Sequence, residues 1–74
     1  MQRTEFLAEF QDLLQRDEPL TPDSCLHDLE EWDSLAIMAV IAWFDKRFGL
    51  TLNFGNFKGL KTVADVAALS PEIQ

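Results

Sequence analysis

The chain contains little cysteine, glycine or positive charge, and no tyrosine. Its single cysteine, Cys25, excludes an internal disulfide and fits a reducing compartment. Six basic residues stand against 13 acidic ones, which gives a formal net charge of -7. This charge argues against nucleic acid or an anionic membrane as the partner, because their phosphates would repel the protein. We expect basic partners.

Long apolar runs are also missing. No stretch is long and apolar enough to span a bilayer, and no charged-then-apolar leader opens the sequence, so we expect a cytoplasmic protein without membrane insertion. A chain of 74 residues is too short to bury a core and also shape a deep catalytic cleft. We therefore expect residues 1–74 to form a single domain, and a discrete monomer.

The acidic residues are concentrated before residue 34. Residues 1–33 hold ten acids against two arginines, whereas residues 34–74 hold three acids against four basic residues. Four of the acids crowd into residues 26–33, more than solubility alone requires. This concentration predicts a recognition role for the segment.

Apolar periodicity predicts the first helix over residues 3–15 and the second over residues 34–48. Pro19 and Pro22 prevent the first helix from continuing, so residues 16–33 form a long loop, which we expect Leu20, Leu26 and Leu29 to pin. Gly49 ends the second helix, and Asp33 or Ser34 caps its start. The stripe expected to face inward on the second helix is Ile37, Val40, Ile41, Phe44 and Phe48.

Two weaker helical segments follow. Residues 53–60 include Gly55 and Gly59, each of which costs about 1 kcal/mol against helix, so a third helix there is short and loose. Thr62 and Asp65 form a capping-box pattern that starts the last helix, which ends at Ser70-Pro71. No strand alternation is present. The sequence predicts an all-α fold, a small four-helix bundle with three main helices, a short third helix and a long loop between helices one and two.

Ser34 places a hydroxyl at the start of the second helix. The first N–H groups of a helix lack partners and carry partial positive charge, so a phosphate esterified to Ser34 is well placed. The only histidine, His27, lies back in the loop, and Lys46 lies about 18 Å along the helix. A hydroxyl with no base beside it is a poor nucleophile. We therefore predict that Ser34 is modified and not catalytic, with no catalytic residue and no metal site in the chain.

The order of helix, long loop, Asp33-Ser34-Leu35, apolar helix, short third helix and Thr62-Val63-Ala64-Asp65-Val66 resembles the acyl carrier proteins. The resemblance implies a 4'-phosphopantetheine arm linked to Ser34 by a phosphodiester, with acyl groups held as thioesters on its thiol. It implies no enzymatic activity. It also implies that Asp33 and Leu35 belong to the attachment site, and that Asp33 helps to bind the magnesium site of the phosphopantetheinyl transferase. The other implied partners are acyl-loading, condensing or acyl-transferring enzymes.

The sequence departs from the family pattern at two places. Asp28-Leu29 is followed by Glu30-Glu31-Trp32 before Asp33, so the usual glycine is missing and one residue is added. The second helix carries only one acid, Asp45, where carriers of fatty acid synthesis show several. These departures favour a carrier for a specialised lipid, polyketide or related pathway. A peptidyl or aminoacyl carrier is the alternative within the family.

Two alternatives lie outside the carrier class. In the first alternative, Ser34 and His27 form a minimal hydrolase. The sequence, however, supplies neither an oxyanion site nor a residue that would orient the histidine. In the second, the chain is a non-carrier acidic helical docking module. Within the carrier interpretation, the expected partner-binding residues are Asp28, Glu30 and Glu31 for basic groups, and Met38 and Trp43 beside Leu35 for apolar contact.

Overall fold

A computed structural model describes all 74 residues and shows three α-helices and two short 3-10 turns. No strand forms; the one β-bridge pairs Cys25 with Thr62. The all-α prediction is thus confirmed. The predicted four-helix count is not, because residues 53–60 contain only a 3-10 turn. The elements are α1 (Arg3–Leu13), a 3-10 turn (Leu26–Asp28), α2 (Ser34–Phe48), a 3-10 turn (Phe54–Phe57) and α3 (Val63–Ala67).

The ends of α2 follow from side-chain and backbone chemistry at its two caps. Asp33 has an extended backbone, and its Oδ1 accepts a hydrogen bond from the Ala36 N–H at 2.9 Å. At the other end Gly49 adopts the left-handed conformation, with φ of 66°, which glycine tolerates without a Cβ clash. The predicted bounds of 34–48 are confirmed.

The buried face of α2 differs in part from the predicted stripe. Ala36, Val40 and Phe44 are buried, and these three follow one another at steps of four residues. Ile37 and Ile41, which we expected to face inward, are only partly buried, as is Phe48. The face is rotated toward Ala36 because this small side chain fits into the interior, while the larger isoleucines cover its edge.

The helix α1 is shorter than predicted. It ends at Leu13, and Gln15 adopts a positive φ of 55°, which costs a non-glycine residue roughly 1 to 2 kcal/mol. The Gln11 amide then donates to the carbonyl oxygens of Arg16 and Asp17 at 3.0 and 3.3 Å. These bonds hold the residues that follow α1 against the side chain of Gln11.

The long loop is tied to the start of α3. The Leu26 N–H donates to the Lys61 carbonyl at 2.8 Å, and the Val63 N–H donates to the Ser24 carbonyl at 3.0 Å. Thr62 caps α3 with a capping box to Asp65, as predicted, although the helix ends at Ala67, before Ser70. Residues 16–33 are therefore ordered by backbone hydrogen bonds as well as by burial.

One core joins the helices and the loop. The predicted anchors of the loop are buried, with exposed fractions of 7% for Leu20, 0% for Leu26 and 8% for Leu29. The fully buried aromatic rings come from both long helices. The core consists of Phe6, Phe10, Leu14, Leu20, Leu26, Leu29, Ala36, Val40, Phe44, Phe57, Val63, Val66, Ala67 and Ile73.

Candidate functional site

Ser34 is the one exposed serine of the three in the chain. It is the first residue of α2 and faces solvent. Ser24 is partly buried, and its hydroxyl accepts from the Thr21 N–H at 3.0 Å. Ser70 is 2% exposed and accepts from the Glu72 N–H at 3.2 Å. Among the three serines, only Ser34 presents a hydroxyl that an enzyme can reach without disturbing the fold.

The helix start around Ser34 offers two free N–H groups. Asp33 satisfies the next two, since its carboxylate accepts from Ala36 and its carbonyl accepts from Ile37 at 3.0 Å. No acceptor within the protein pairs with the N–H groups of Ser34 and Leu35. Such groups at the positive end of a 15-residue helix favour a phosphate nearby. The residues present therefore fit a phosphodiester on the Ser34 hydroxyl.

The segment that leads to Ser34 is held by packing. Leu29 is buried, and Trp32 is partly buried between two other rings. The Trp32 ring centroid lies 5.7 Å from that of Phe10 and 6.1 Å from that of Phe57. The segment that lacks the usual glycine and carries the added residue is thus anchored to the core by Trp32.

The four acids of this segment have different surroundings. Asp28 and Glu30 are exposed, whereas Glu31 is half-buried and accepts a hydrogen bond from the Arg16 guanidinium at 2.8 Å. Asp33 caps α2. Asp28 and Glu30 are thus free to meet a partner, and Glu31 is already paired within the protein.

Three large apolar side chains are exposed, and two of them follow Ser34 in α2. Leu35 is 75% exposed and Met38 is 55% exposed, as expected for contact residues. Phe54, which sequence reasoning missed, is 47% exposed, and only its place in a glycine-containing turn hinted at exposure. A groove of about 400 Å³ borders the serine, lined by Leu13, Leu14, Gln15, Glu31, Asp33, Leu35, Ala36 and Ala39.

Trp43 does not lie on a free face of α2, contrary to our expectation. It is partly buried, and its indole N–H donates to Glu9 at 3.1 Å. Its ring centroid lies 5.8 Å from that of Phe6 and 5.1 Å from that of Phe44. Glu9 also pairs with Arg47 at 3.6 Å. Trp43 thus joins α1 to α2, because its ring packs against Phe6 and its indole N–H reaches the Glu9 carboxylate.

The other potentially reactive side chains, His27 and Cys25, form no hydrogen bond with Ser34. His27 is exposed on the 3-10 turn, and no hydrogen bond connects its ring to Ser34. Cys25 has a free, partly buried thiol, and its backbone forms the β-bridge with Thr62. No three His, Cys, Asp or Glu side chains are grouped to hold a metal ion. None of the helices has the length and hydropathy needed to cross a membrane.

Comparison with known proteins identifies the family. Residues 4–70 match the family described as the phosphopantetheine attachment site, and the match covers nearly the whole chain. The chain belongs to this family of carrier domains, as the resemblance to acyl carrier proteins predicted. No curated protein and no solved structure gives a significant match.

Membership fixes the cofactor and the general role. Domains of this family bear a covalently attached 4'-phosphopantetheine group, and in general they carry substrates and do not catalyse reactions. A phosphopantetheinyl transferase installs the group, and further enzymes act on the cargo. The free helix start at Ser34 is the part of this structure whose chemistry suits such a group.

Proposed function

We propose that this protein is an acyl carrier that bears its phosphopantetheine arm on Ser34. The observation that supports the proposal most directly is the exposure of Ser34 at the start of α2, while the hydroxyls of Ser24 and Ser70 are engaged. The family match supplies the cofactor. The protein itself is not an enzyme; it presents acyl thioesters to enzymes that dock on it.

The residues of the chain hold and present the attachment point. The free N–H groups of Ser34 and Leu35 stabilise the negative charge of a phosphodiester, and Asp33 keeps the helix start in place. The bound group supplies a thiol that forms thioesters. A tethered thioester has a high effective concentration at any enzyme docked nearby, so a carrier of this size needs only brief encounters.

Docking enzymes contact two neighbouring surfaces of the site. Asp28 and Glu30 attract basic residues and mainly speed the encounter, because exposed charges contribute more to association rate than to affinity. Leu35 and Met38 supply the apolar contact that excludes water. Asp33, next to the serine, additionally contacts the magnesium site of the transferase.

An acyl cargo for a specialised lipid, polyketide or related pathway is the interpretation we favour. The approach to Ser34 lacks glycine and packs Trp32 between two rings, whereas peptidyl carriers usually have a glycine-rich approach. The surface of α2 has a single acid, Asp45, unlike carriers of general fatty acid synthesis. We further propose that residues 1–74 act as one cytoplasmic, monomeric carrier domain.

A loading assay tests the acyl assignment. Holo-protein prepared with coenzyme A and a transferase is incubated either with acyl-activating enzymes and fatty acids or with adenylating enzymes and amino acids. The proposal expects acyl thioesters, seen by intact mass and released by hydroxylamine. Loading with amino acids only would support the peptidyl alternative. If no transferase modifies the wild type, the result would instead support the alternative that the chain is a non-carrier acidic docking module.

A further inference from the structure

One ion pair joins the end of α1 to the approach to Ser34. The Arg16 Nη1 donates to the Glu31 Oε1 at 2.8 Å, and both side chains are largely removed from solvent, with exposed fractions of 21% and 32%. A second acid near Arg16, Glu18, lies at 3.9 Å and is 82% exposed. Glu31 is therefore the main partner of Arg16.

The pair belongs to a chain of hydrogen bonds that ends at α2. The Glu31 carbonyl accepts from the Asp33 N–H at 3.0 Å. The Asp33 carboxylate in turn accepts from the Ala36 N–H at 2.9 Å, in the first turn of the helix. Arg16 thus holds the side chain of Glu31, and the Glu31 carbonyl holds the main chain of Asp33, the cap of α2. Ser34, the first residue of α2, directly follows that cap.

The turn at the end of α1 directs Arg16 toward Glu31. Gln15 adopts its positive φ immediately before Arg16, and the Gln11 amide fixes the carbonyl that follows. A residue keeps a strained backbone conformation of this kind only where the surrounding structure holds it in place. The geometry of Arg16 is therefore preset by its own segment of the chain.

We propose that Arg16 and Glu31 form a latch that positions the Ser34 hydroxyl for the transferase. This proposal rests on the proposed function of Ser34 and assigns Glu31 a role within the protein, not at the partner interface. Arg16 and Glu31 are positioning residues; neither touches the reacting atoms. Loss of the latch lets the turn before Asp33 move, and small displacements of a reacting group slow the reaction without weakening docking.

The test compares steady-state transfer of phosphopantetheine to variants of the full chain. Arg16→Gln and Glu31→Gln each lower kcat by at least about threefold while KM for the carrier stays near the wild-type value. The double variant falls no further than either single one, because both changes remove the same interaction. The charge-swapped pair Arg16→Glu with Glu31→Arg recovers much of the kcat.

Two matched controls separate the latch from simple loss of charge. Glu30→Gln removes an exposed acid one residue away and raises KM without lowering kcat. Glu18→Gln removes the distant partner of Arg16 and changes neither constant. A second measurement is amide hydrogen exchange at Asp33, which becomes faster in Arg16→Gln but not in Glu30→Gln.

The outcomes distinguish the latch from the attachment itself. If the wild type is modified at Ser34 and both latch variants keep its kcat, the packing of Trp32 and the Asp33 cap are sufficient and the latch is wrong. A rise in KM for Glu31→Gln equal to that for Glu30→Gln also overturns it, because Glu31 then acts as a docking residue. A wild type that accepts no phosphopantetheine overturns the proposed function instead.

Discussion

At the scale of single residues, Asp33 has a structural role as a helix cap, and we propose a recognition role beside it. Its carboxylate caps α2 through the Ala36 N–H. The same carboxylate, exposed beside Ser34, is proposed to contact the transferase. Asparagine caps helices about as well as aspartate but cannot supply the charge, so two substitutions separate the roles.

We predict that Asp33→Ala destabilises the protein by about 0.5 to 2 kcal/mol, the usual effect of losing an N-cap. Asp33→Asn keeps the wild-type stability yet slows transfer of phosphopantetheine, because the charge is gone. Urea denaturation and transfer kinetics measure the two effects. Equal transfer rates for Asp33→Asn and the wild type would restrict Asp33 to its capping role.

Asp65 links stability to pH. Backbone N–H groups of Lys61 and Thr62 donate to its carboxylate at 2.9 and 3.0 Å and hold its pKa below the ordinary value of 3.8. These hydrogen bonds favour the ionised form, so its contribution is complete above pH 3.8. As the pH falls below this value, the unfolded chain takes up the proton first and the folded state loses stability.

We predict that Asp65→Asn removes this component of the acid sensitivity. The difference in unfolding free energy between wild type and Asp65→Asn is largest near neutral pH and shrinks as the pH falls through the depressed pKa. Urea titrations at pH 7 and pH 3 measure it. A difference that stays constant with pH would show that the carboxylate gains nothing from its backbone donors.

Some residue roles could be read from the sequence and others could not. The cap at Asp33, the capping box at Thr62 and Asp65, and the hydroxyl of Ser34 at a helix start depend on neighbours within four positions. The bonds from Trp43 to Glu9 and from Arg16 to Glu31 join residues 34 and 15 positions apart. No local pattern specifies such pairs, which depend on how the helices pack.

At the scale of elements, α2 shows how far periodicity determines structure. Its ends were predicted correctly because Asp33 and Gly49 are local signals. Its buried face was predicted only in part, because much of the helix surface is apolar and the pattern does not single out one face. Large apolar residues outside the buried face include Ile37, Ile41, Trp43 and Phe48. In the folded protein the buried face of α2 is the one that contains the small Ala36. The two isoleucines, Trp43 and Phe48 are only partly buried.

We predict that Phe44→Ala destabilises the protein by roughly 3 to 5 kcal/mol, because the Phe44 ring is fully buried and its removal leaves a cavity. That loss is a large share of the stability of a small domain. Met38→Ala, on the exposed face of the same helix, changes stability by at most about 0.5 kcal/mol. Thermal melts monitored by circular dichroism compare them; similar melting temperatures would contradict the buried face described above.

The links between elements were less predictable than the elements. The loop of residues 16–33 was expected to be pinned by leucines, and it is. Its backbone hydrogen bonds to the start of α3 had no signal in the sequence, because they pair irregular segments far apart in the chain. The predicted third helix became a 3-10 turn because Gly55 lies inside it.

At the scale of the whole molecule, charge is arranged around the attachment site. Four acids lie in residues 26–33, just before Ser34, and the structure divides them into exposed Asp28 and Glu30, and engaged Glu31 and Asp33. The basic Lys46 and Arg47 lie at the far end of α2. Asp28 and Glu30 are therefore the acids of this segment that we propose a basic partner contacts.

We predict that reversing Asp28 and Glu30 to lysine slows acyl loading by the cognate enzyme. Most of the deficit disappears in high salt, where exposed charges are screened within about 3 Å at 1 M. Reversing two exposed acids elsewhere, Asp12 and Asp17, changes net charge equally and has a smaller effect. Met38→Ala slows loading at every salt concentration. The measurement is the loading rate across a salt series. Equal effects of the two charge reversals would show that the loop acids have no special role in partner recognition.

Intact mass after incubation with coenzyme A and a broad transferase shows whether Ser34 carries the phosphopantetheine arm. The wild type and Ser24→Ala each gain the mass of one phosphopantetheine, and peptide mapping places it on Ser34. Ser34→Ala gains none while its helical circular dichroism stays unchanged. Modification of Ser34→Ala, or no modification of the wild type with several transferases, would show that Ser34 does not carry the arm.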